Sequence, residues 1–225
     1  MKITYLGHAS LSVEVAGKHL IVDPFITPNE LAKGIDINSL QADYILITHA
    51  HQDHIVDVEA IAKRTGARVI SNFEIVSHYG NLGIDGHPMN HGGSWNFDFG
   101  KLTYTNAIHT SSFPDGSYGG QPGGFVLESK EGNLYIAGDT ALTMDMKLIP
   151  LQCSIDLAVL PIGDNFTMGM ESASIAAEFI SCDRILGYHY DTFGYIVIDH
   201  EKAIQTFRDK GKELLLLPIG NSIEI

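Results

Sequence analysis

Four metal-ligating side chains fall within six residues at His49-Ala50-His51-Gln52-Asp53-His54, directly after the apolar run Tyr44-Ile45-Leu46-Ile47. Imidazole nitrogen and carboxylate oxygen suit zinc, manganese or iron, and so many ligands at one strand end exceed the need of a single open catalytic ion. The spacing therefore points to two ions. His-rich tracts also occur as solvated loops or adventitious metal binders. Here an apolar strand precedes the cluster and a helical pattern follows it, which puts the ligands at the carboxyl end of a strand, where α/β folds build sites.

Three more ligand types close apolar or alternating segments downstream: His109 in Asn106-Ala107-Ile108-His109, Asp139 in Ala137-Gly138-Asp139-Thr140, and His189 in Leu186-Gly187-Tyr188-His189. Together with the cluster they would complete two coordination spheres, with one carboxylate left to bridge the ions.

The order His-x-His-x-Asp-His, then His, then Gly-Asp-Thr, then His resembles the metallo-β-lactamase superfamily from one end of the chain to the other. Tyr5-Leu6-Gly7-His8-Ala9, Val22-Asp23-Pro24-Phe25 and Gly138-Asp139-Thr140-Ala141 carry the same resemblance. Two further segments are His87-Pro88-Met89-Asn90 with Gly92-Gly93, and Leu160-Pro161-Ile162-Gly163-Asp164-Asn165-Phe166-Thr167-Met168-Gly169. They point to the small metal-dependent hydrolases related to L-ascorbate-6-phosphate lactonase. Where that branch has an apolar residue after the position of Asn90, this chain has His91, so no role is assigned to His91.

The resemblance implies a four-layer αββα sandwich and a ligand set. His49, His51 and His109 would hold one ion, Asp53, His54 and His189 the other, and Asp139 would bridge them. The cofactor is then two divalent ions, zinc or manganese ahead of iron. A hydroxide shared by ions ~3.5–4 Å apart would be the nucleophile, because metal binding brings a water pKa down to roughly 7. Asp53, Asp139 and His8 are the candidate catalytic groups, with Asp53 shuttling a proton and His8 either orienting a ligand or contacting substrate. Metal-bound histidines usually donate their other ring N–H to a carboxylate or carbonyl. Asp23, Thr140 and Asn165 are the candidate supports, and Asp43 is expected to brace the cluster loop without touching metal.

The expected function is hydrolysis of a small ester-like substrate, such as a lactone or a phosphodiester. Two alternatives stand beside it: iron-dependent redox chemistry on the same fold, and a metal-binding protein without turnover. In the di-iron relatives a glutamate usually stands at the position of His51 and a flavin domain follows. This chain has the histidine.

Stepwise periodicity supplies the elements that would position these groups. Strands are expected at 2–6, 11–16, 18–23, 44–48, 68–71, 101–108, 124–129, 134–138, 156–161, 184–188, 213–217 and 222–225, with turns at Ala16-Gly17-Lys18 and Glu131-Gly132-Asn133. Helices are expected at 55–65, 73–80, 171–181 and 199–210, where apolar residues recur three and four apart. His87 to Gly93 reads as a loop near the pocket. The glycine-rich stretch Ser111 to Gly124 reads as a flexible, lid-like loop, and Asp164 to Gly169 as a second loop that shapes specificity. Neither of these two segments contains lysine or arginine.

With 225 residues, 44% of them hydrophobic, the chain can fill one substantial core, and no linker or charge block divides it, so residues 1–225 are expected to form a single domain. The net charge of −13 argues against nucleic-acid partners, whose binding rests on clustered lysine and arginine. Two divalent ions add four positive charges and still leave −9. A small-molecule substrate is the expected partner, and a homo-oligomer stays open. No apolar run nears the ~20 residues that span a bilayer, and the first residues lack a signal-peptide apolar region. Cys153 and Cys182 lie far apart and read as small hydrophobes, so a reducing cytoplasm is the default location.

Overall fold

Residues 1–225 are described by a computed structural model. The first half opens as a meander of β1 (Lys2–Gly7), β2 (Ser10–Val15) and β3 (Lys18–Val22), each antiparallel to the last. It continues through β4 (Tyr44–Leu46), α1 (Gln52–Ile55), α2 (Val58–Thr65), β5 (Arg68–Asn72), α3 (Phe73–Asn81) and β6 (Gly86–Met89). Here the strands run parallel to β3, because the chain crosses back before each one, by an irregular segment before β4 and by helices before β5 and β6.

The second half repeats the plan. β7 (Ser94–Phe97), β8 (Gly100–Asn106), β9 (Gly123–Ser129) and β10 (Gly132–Ile136) are antiparallel in succession. Next come β11 (Leu157–Pro161), α4 (Met170–Ile180), β12 (Arg184–Tyr188), α5 (His200–Arg208) and β13 (Glu213–Leu215), whose strands extend the sheet in parallel. Finally β14 (Ser222–Glu224) crosses back and pairs with β1, Lys2 opposite Glu224. The result is two seven-stranded sheets, ordered β14-β1-β2-β3-β4-β5-β6 and β13-β12-β11-β10-β9-β8-β7.

Each sheet buries both faces, which is why its central strands are nearly continuous apolar runs. In β11, Leu157 and Val159 face the other sheet and join Ile3, Leu11, Leu46 and Phe125 in the inter-sheet core. Ala158 and Leu160 point the other way, onto Ala173, Ala177 and Phe207 of α4 and α5. Across the molecule Ile45 and Val69 pack in the same manner under Val58, Ile61 and Ile75 of α2 and α3. Helix, sheet, sheet, helix is thus the layer order, the expected αββα sandwich. No helix is long and apolar enough to cross a membrane.

Four local expectations are corrected. The helix expected over 55–65 is two helices, because the Asp57 carboxylate accepts from the backbone N–H of Ile26 (2.6 Å) and Thr27 (2.9 Å) and its own backbone leaves helical geometry. His87-Pro88-Met89 is strand β6 rather than a loop at the pocket. Proline is tolerated there because β6 is the sheet edge. Ser111 to Gly124 contains glycine for close approach rather than flexibility: a Cβ on Gly119 would lie 2.6 Å from Ser111 Oγ and collide with Ala50. The stretch is further fastened by Asn72, which donates to Gly119 O at 2.9 Å, and by Phe113 buried under the first sheet. Last, Met144–Leu151 forms a 3₁₀ helix where periodicity showed none.

Candidate metal centre

Strand direction decides where the ligand-type residues meet. β1, β3 and β4 run one way in the first sheet, and β8, β10, β11 and β12 share one direction in the second. The residues that follow their carboxyl ends are His8, Asp23, the His49 to His54 cluster, His109, Asp139 and His189, and they gather at one rim between the sheets. Leaving a strand sharply at that rim requires left-handed backbone at His8 (φ 53°), Asp23 (φ 42°) and His189 (φ 56°). Such conformations cost on the order of 1–3 kcal/mol each and persist where surrounding structure enforces them. Gly138 (φ 69°) precedes Asp139 for the same reason, since a Cβ there would meet Gly123 O at 2.5 Å.

Asp139 lies at the centre. Its Oδ2 is 3.0 Å from His189 Nε2, 3.3 Å from His54 Nε2, 3.6 Å from His109 Nε2 and 3.9 Å from His49 Nε2. Two groups of donor atoms flank it, each compact enough to surround one cation: His49, His51 and His109 on one side, and Asp53, His54 and His189 with His8 on the other. Within the cluster His54 Nε2, both ring nitrogens of His189 and Asp139 Oδ1 are buried without a hydrogen-bond partner. Leaving such atoms unpaired costs about 1–3 kcal/mol apiece. Lone pairs of imidazole and carboxylate converging from several sides fit a divalent cation, so the residues present match the group that the sequence implies.

Surrounding groups orient the rings. Asp23, fully buried, accepts from Thr48 N (2.8 Å), Thr48 Oγ1 (2.6 Å) and His54 Nδ1 (2.9 Å). With its proton held on Nδ1, a neutral His54 would offer the Nε2 lone pair to a metal. His8 bridges Asp53 Oδ2 and Thr192 Oγ1, each at 3.0 Å, from a buried position behind the cluster. His51 Nδ1 sits 3.0 Å from His49 Nε2, and Thr110 Oγ1 lies 3.3 Å from His51 Nε2. Thr140 is buried and accepts from the N–H of Ile108, tying the Asp139 turn to the residue before His109.

Protonation differs across the cluster. Burial, followed by the charge of His54, holds His49 well below the usual imidazole range, and burial likewise lowers His51 and His109. Burial and the neighbouring His189 push His8 down to about 4. Burial would also lower His54 and His189, but the carboxylates outweigh it, Asp139 foremost: His54 is held well above its ordinary value and His189 rises to about 9. The two histidines reciprocally hold Asp139 ionised, its pKa far below the carboxylate norm despite burial.

Not every candidate comes to the cluster. Asn165 is exposed and is not among the residues that line the cleft. Asp164 (φ 62°) and Asn165 (φ 53°) are both left-handed, and that turn presents Phe166, rather than Asn165, to the cleft. Asp43 accepts from His19 N at 2.8 Å and so braces the start of β3, at the opposite end of its strand from the cluster loop. Thr192 and Asp57 were not foreseen. Neither lies in a recognisable spacing, and both act through contacts between segments distant in sequence. His51, Asp53, His109, Asp139 and His189 line an open cleft of about 1030 Å³, while His49 and His54 are buried behind it.

Comparison with known proteins shows the family. Residues 2–189 match the model of the beta-lactamase superfamily domain. A metal-dependent hydrolase of Flavobacterium johnsoniae is 68% identical over 225 residues, and one of Christiangramia forsetii is 66% identical over 226, each match covering both chains fully. Among solved structures, Igni18, a metallo hydrolase from the archaeon Ignicoccus hospitalis, superposes with a TM-score of 0.91 at 33% identity, covering 100% of this chain and 97% of the other.

Proposed function

Because this chain belongs to the beta-lactamase superfamily and, within it, to the metal-dependent hydrolases, we propose that it cleaves a small ester-like substrate, a lactone or phosphodiester among them, at a dinuclear centre. His49, His51 and His109 would hold one divalent ion and Asp53, His54 and His189 the other, with Asp139 between them; zinc or manganese suits these ligands. The observation that carries the proposal is the position of Asp139, whose Oδ2 lies within 3.0–3.9 Å of imidazole nitrogens from both groups. When bound, such ions supply Lewis acidity, lowering the pKa of water to roughly 7 and stabilising negative charge that develops on the substrate.

The chain's own residues do the positioning. Asp23 keeps His54 in one tautomer, and His8, itself held by Thr192, fixes Asp53 through Oδ2. Asp53 reaches the cleft with its side chain 27% exposed, so it is the carboxylate placed to take a proton from an attacking water and return it to the leaving group.

The test is reloading of stripped protein with zinc, manganese or ferrous iron, followed by assay against aryl phosphodiesters, simple lactones and phosphorylated sugar lactones, with oxygen uptake recorded in parallel. Hydrolysis with redox-inert zinc, and metal content approaching two ions per chain, are expected. Oxygen consumption with iron and no hydrolysis with any metal would overturn the proposal.

A further inference from the structure

Beyond its ligands, the cleft is walled by aromatic rings. Phe166 is 50% exposed, Phe193 37% and Tyr195 79%, and all three line the cleft together with the better-buried Phe25. They come from three separate segments, yet they pair: Phe166 with Tyr195 and Phe25 with Phe193, each at 6.1 Å between ring centroids. Leaving large rings exposed around a concave site costs stability and marks a binding surface.

Charge points the same way. No lysine or arginine lines the cleft, and its charged side chains other than histidine are the carboxylates of Asp53 and Asp139. Against a net charge of −13 on the chain, a substrate bearing its own phosphate or carboxylate at the far end would meet no protein cation there. The other polar side chains are neutral, Gln52, Thr110 and Thr192. A cleft of about 1030 Å³ also has room for far more than the reacting ester itself.

We propose that the cleft selects ester-like substrates whose group remote from the reacting bond is uncharged, flat and apolar; that group docks on Phe25, Phe166, Phe193 and Tyr195 while the reacting bond faces Asp53 and Asp139. This rests on the metal-hydrolase reading above. Phe25 and Phe193 pack against His8, with ring centroids at 5.4 and 5.2 Å, so Phe166 and Tyr195 are the positions to vary without disturbing the groups behind Asp53.

Hydroxamates, which chelate zinc, separate the two readings by binding alone. Calorimetry on zinc-loaded protein would compare benzohydroxamate, acetohydroxamate and 4-sulfobenzohydroxamate. Benzohydroxamate should bind on the order of tenfold tighter than acetohydroxamate, the scale of one well-placed aromatic contact with its buried area, and the sulfonate should erase that gain. In Phe166→Ala/Tyr195→Ala the ratio of benzohydroxamate to acetohydroxamate affinity should fall toward one. Equal binding of the first two probes, tighter binding of the sulfonate, or an unchanged ratio in the variant would overturn this inference and leave the hydrolase proposal standing. A change of mass by light scattering in the variant, with the ratio unchanged, would instead make the aromatic face a contact between copies of the chain. Failure of all three probes to bind zinc-loaded protein would overturn the metal-centre reading itself, and this inference with it.

Discussion

Replacing Asp23 separates packing from tautomer control. In Asp23→Ala, three donors lose their acceptor: Thr48 N–H, Thr48 Oγ1–H and His54 Nδ1–H. The Thr48 hydroxyl can turn to His49 Nδ1, already 3.0 Å away. Two buried donors then stay unpaired, at about 1–3 kcal/mol each, so urea unfolding should show a loss of roughly 2–6 kcal/mol. Asp23→Asn keeps the shape and an oxygen for Thr48 N, so it should cost only about 1–2 kcal/mol. The amide nitrogen, however, places a donor against His54 Nδ1, which must then accept and carry its proton on Nε2. Asp139 Oδ2, 3.3 Å from Nε2, would accept that proton and stabilise the wrong tautomer. Zinc affinity, measured by competition with a chromophoric chelator, should therefore fall on the order of 10–100-fold in Asp23→Asn despite its milder stability loss. Zinc binding within about twofold of the native protein in Asp23→Asn would refute the tautomer argument.

Asp139→Ala should release chiefly the ion beside His54 and His189 and lower hydrolysis by at least on the order of 10²-fold while circular dichroism stays native; near-normal turnover in a folded, metal-replete variant would refute its central role. Metal loading at pH 7 should release protons, because His54 is held above its ordinary pKa and His189 near 9, whereas His49, His51 and His109 are already neutral. Calorimetry in buffers of different ionisation enthalpy reads that number, and zero release would contradict the assignment. In chelator-treated protein the raised His189 contributes stability that is fully present below its unfolded pKa of about 6.5 and is lost as pH rises through about 9, so the Tm should decline between pH 7 and 10. Gly119→Ala should destabilise by about 1–3 kcal/mol, since the added methyl strikes Ala50 and Ser111 Oγ. A neutral effect would show that the loop is mobile after all.

Local pattern was enough to find the strands that flank the rim. Apolar runs such as Tyr44 to Ile47 and Leu157 to Pro161 announce strands buried on both faces, and the residue types just beyond them announce the chemistry. The same reading missed β6 and β7. Pro88 and the polar residues around it have no strand pattern, and only their place at the sheet edges makes pairing possible. Asp43 and Asn165 failed for a related reason, as side-chain direction depends on which end of a strand a residue occupies and on the turn that follows. Two successive left-handed residues at Asp164 and Asn165 send an asparagine outward and a phenylalanine into the cleft. Which residue types can ligate, and that they stand at strand ends, is written in the chain because both are properties of neighbours in sequence. That Asp139 sits between two groups of histidines, that Thr192 holds His8, and that four aromatic rings from three segments wall one cleft were decided only by the tertiary structure. Those contacts join residues up to 184 positions apart, and they exist only once the two sheets have packed face to face.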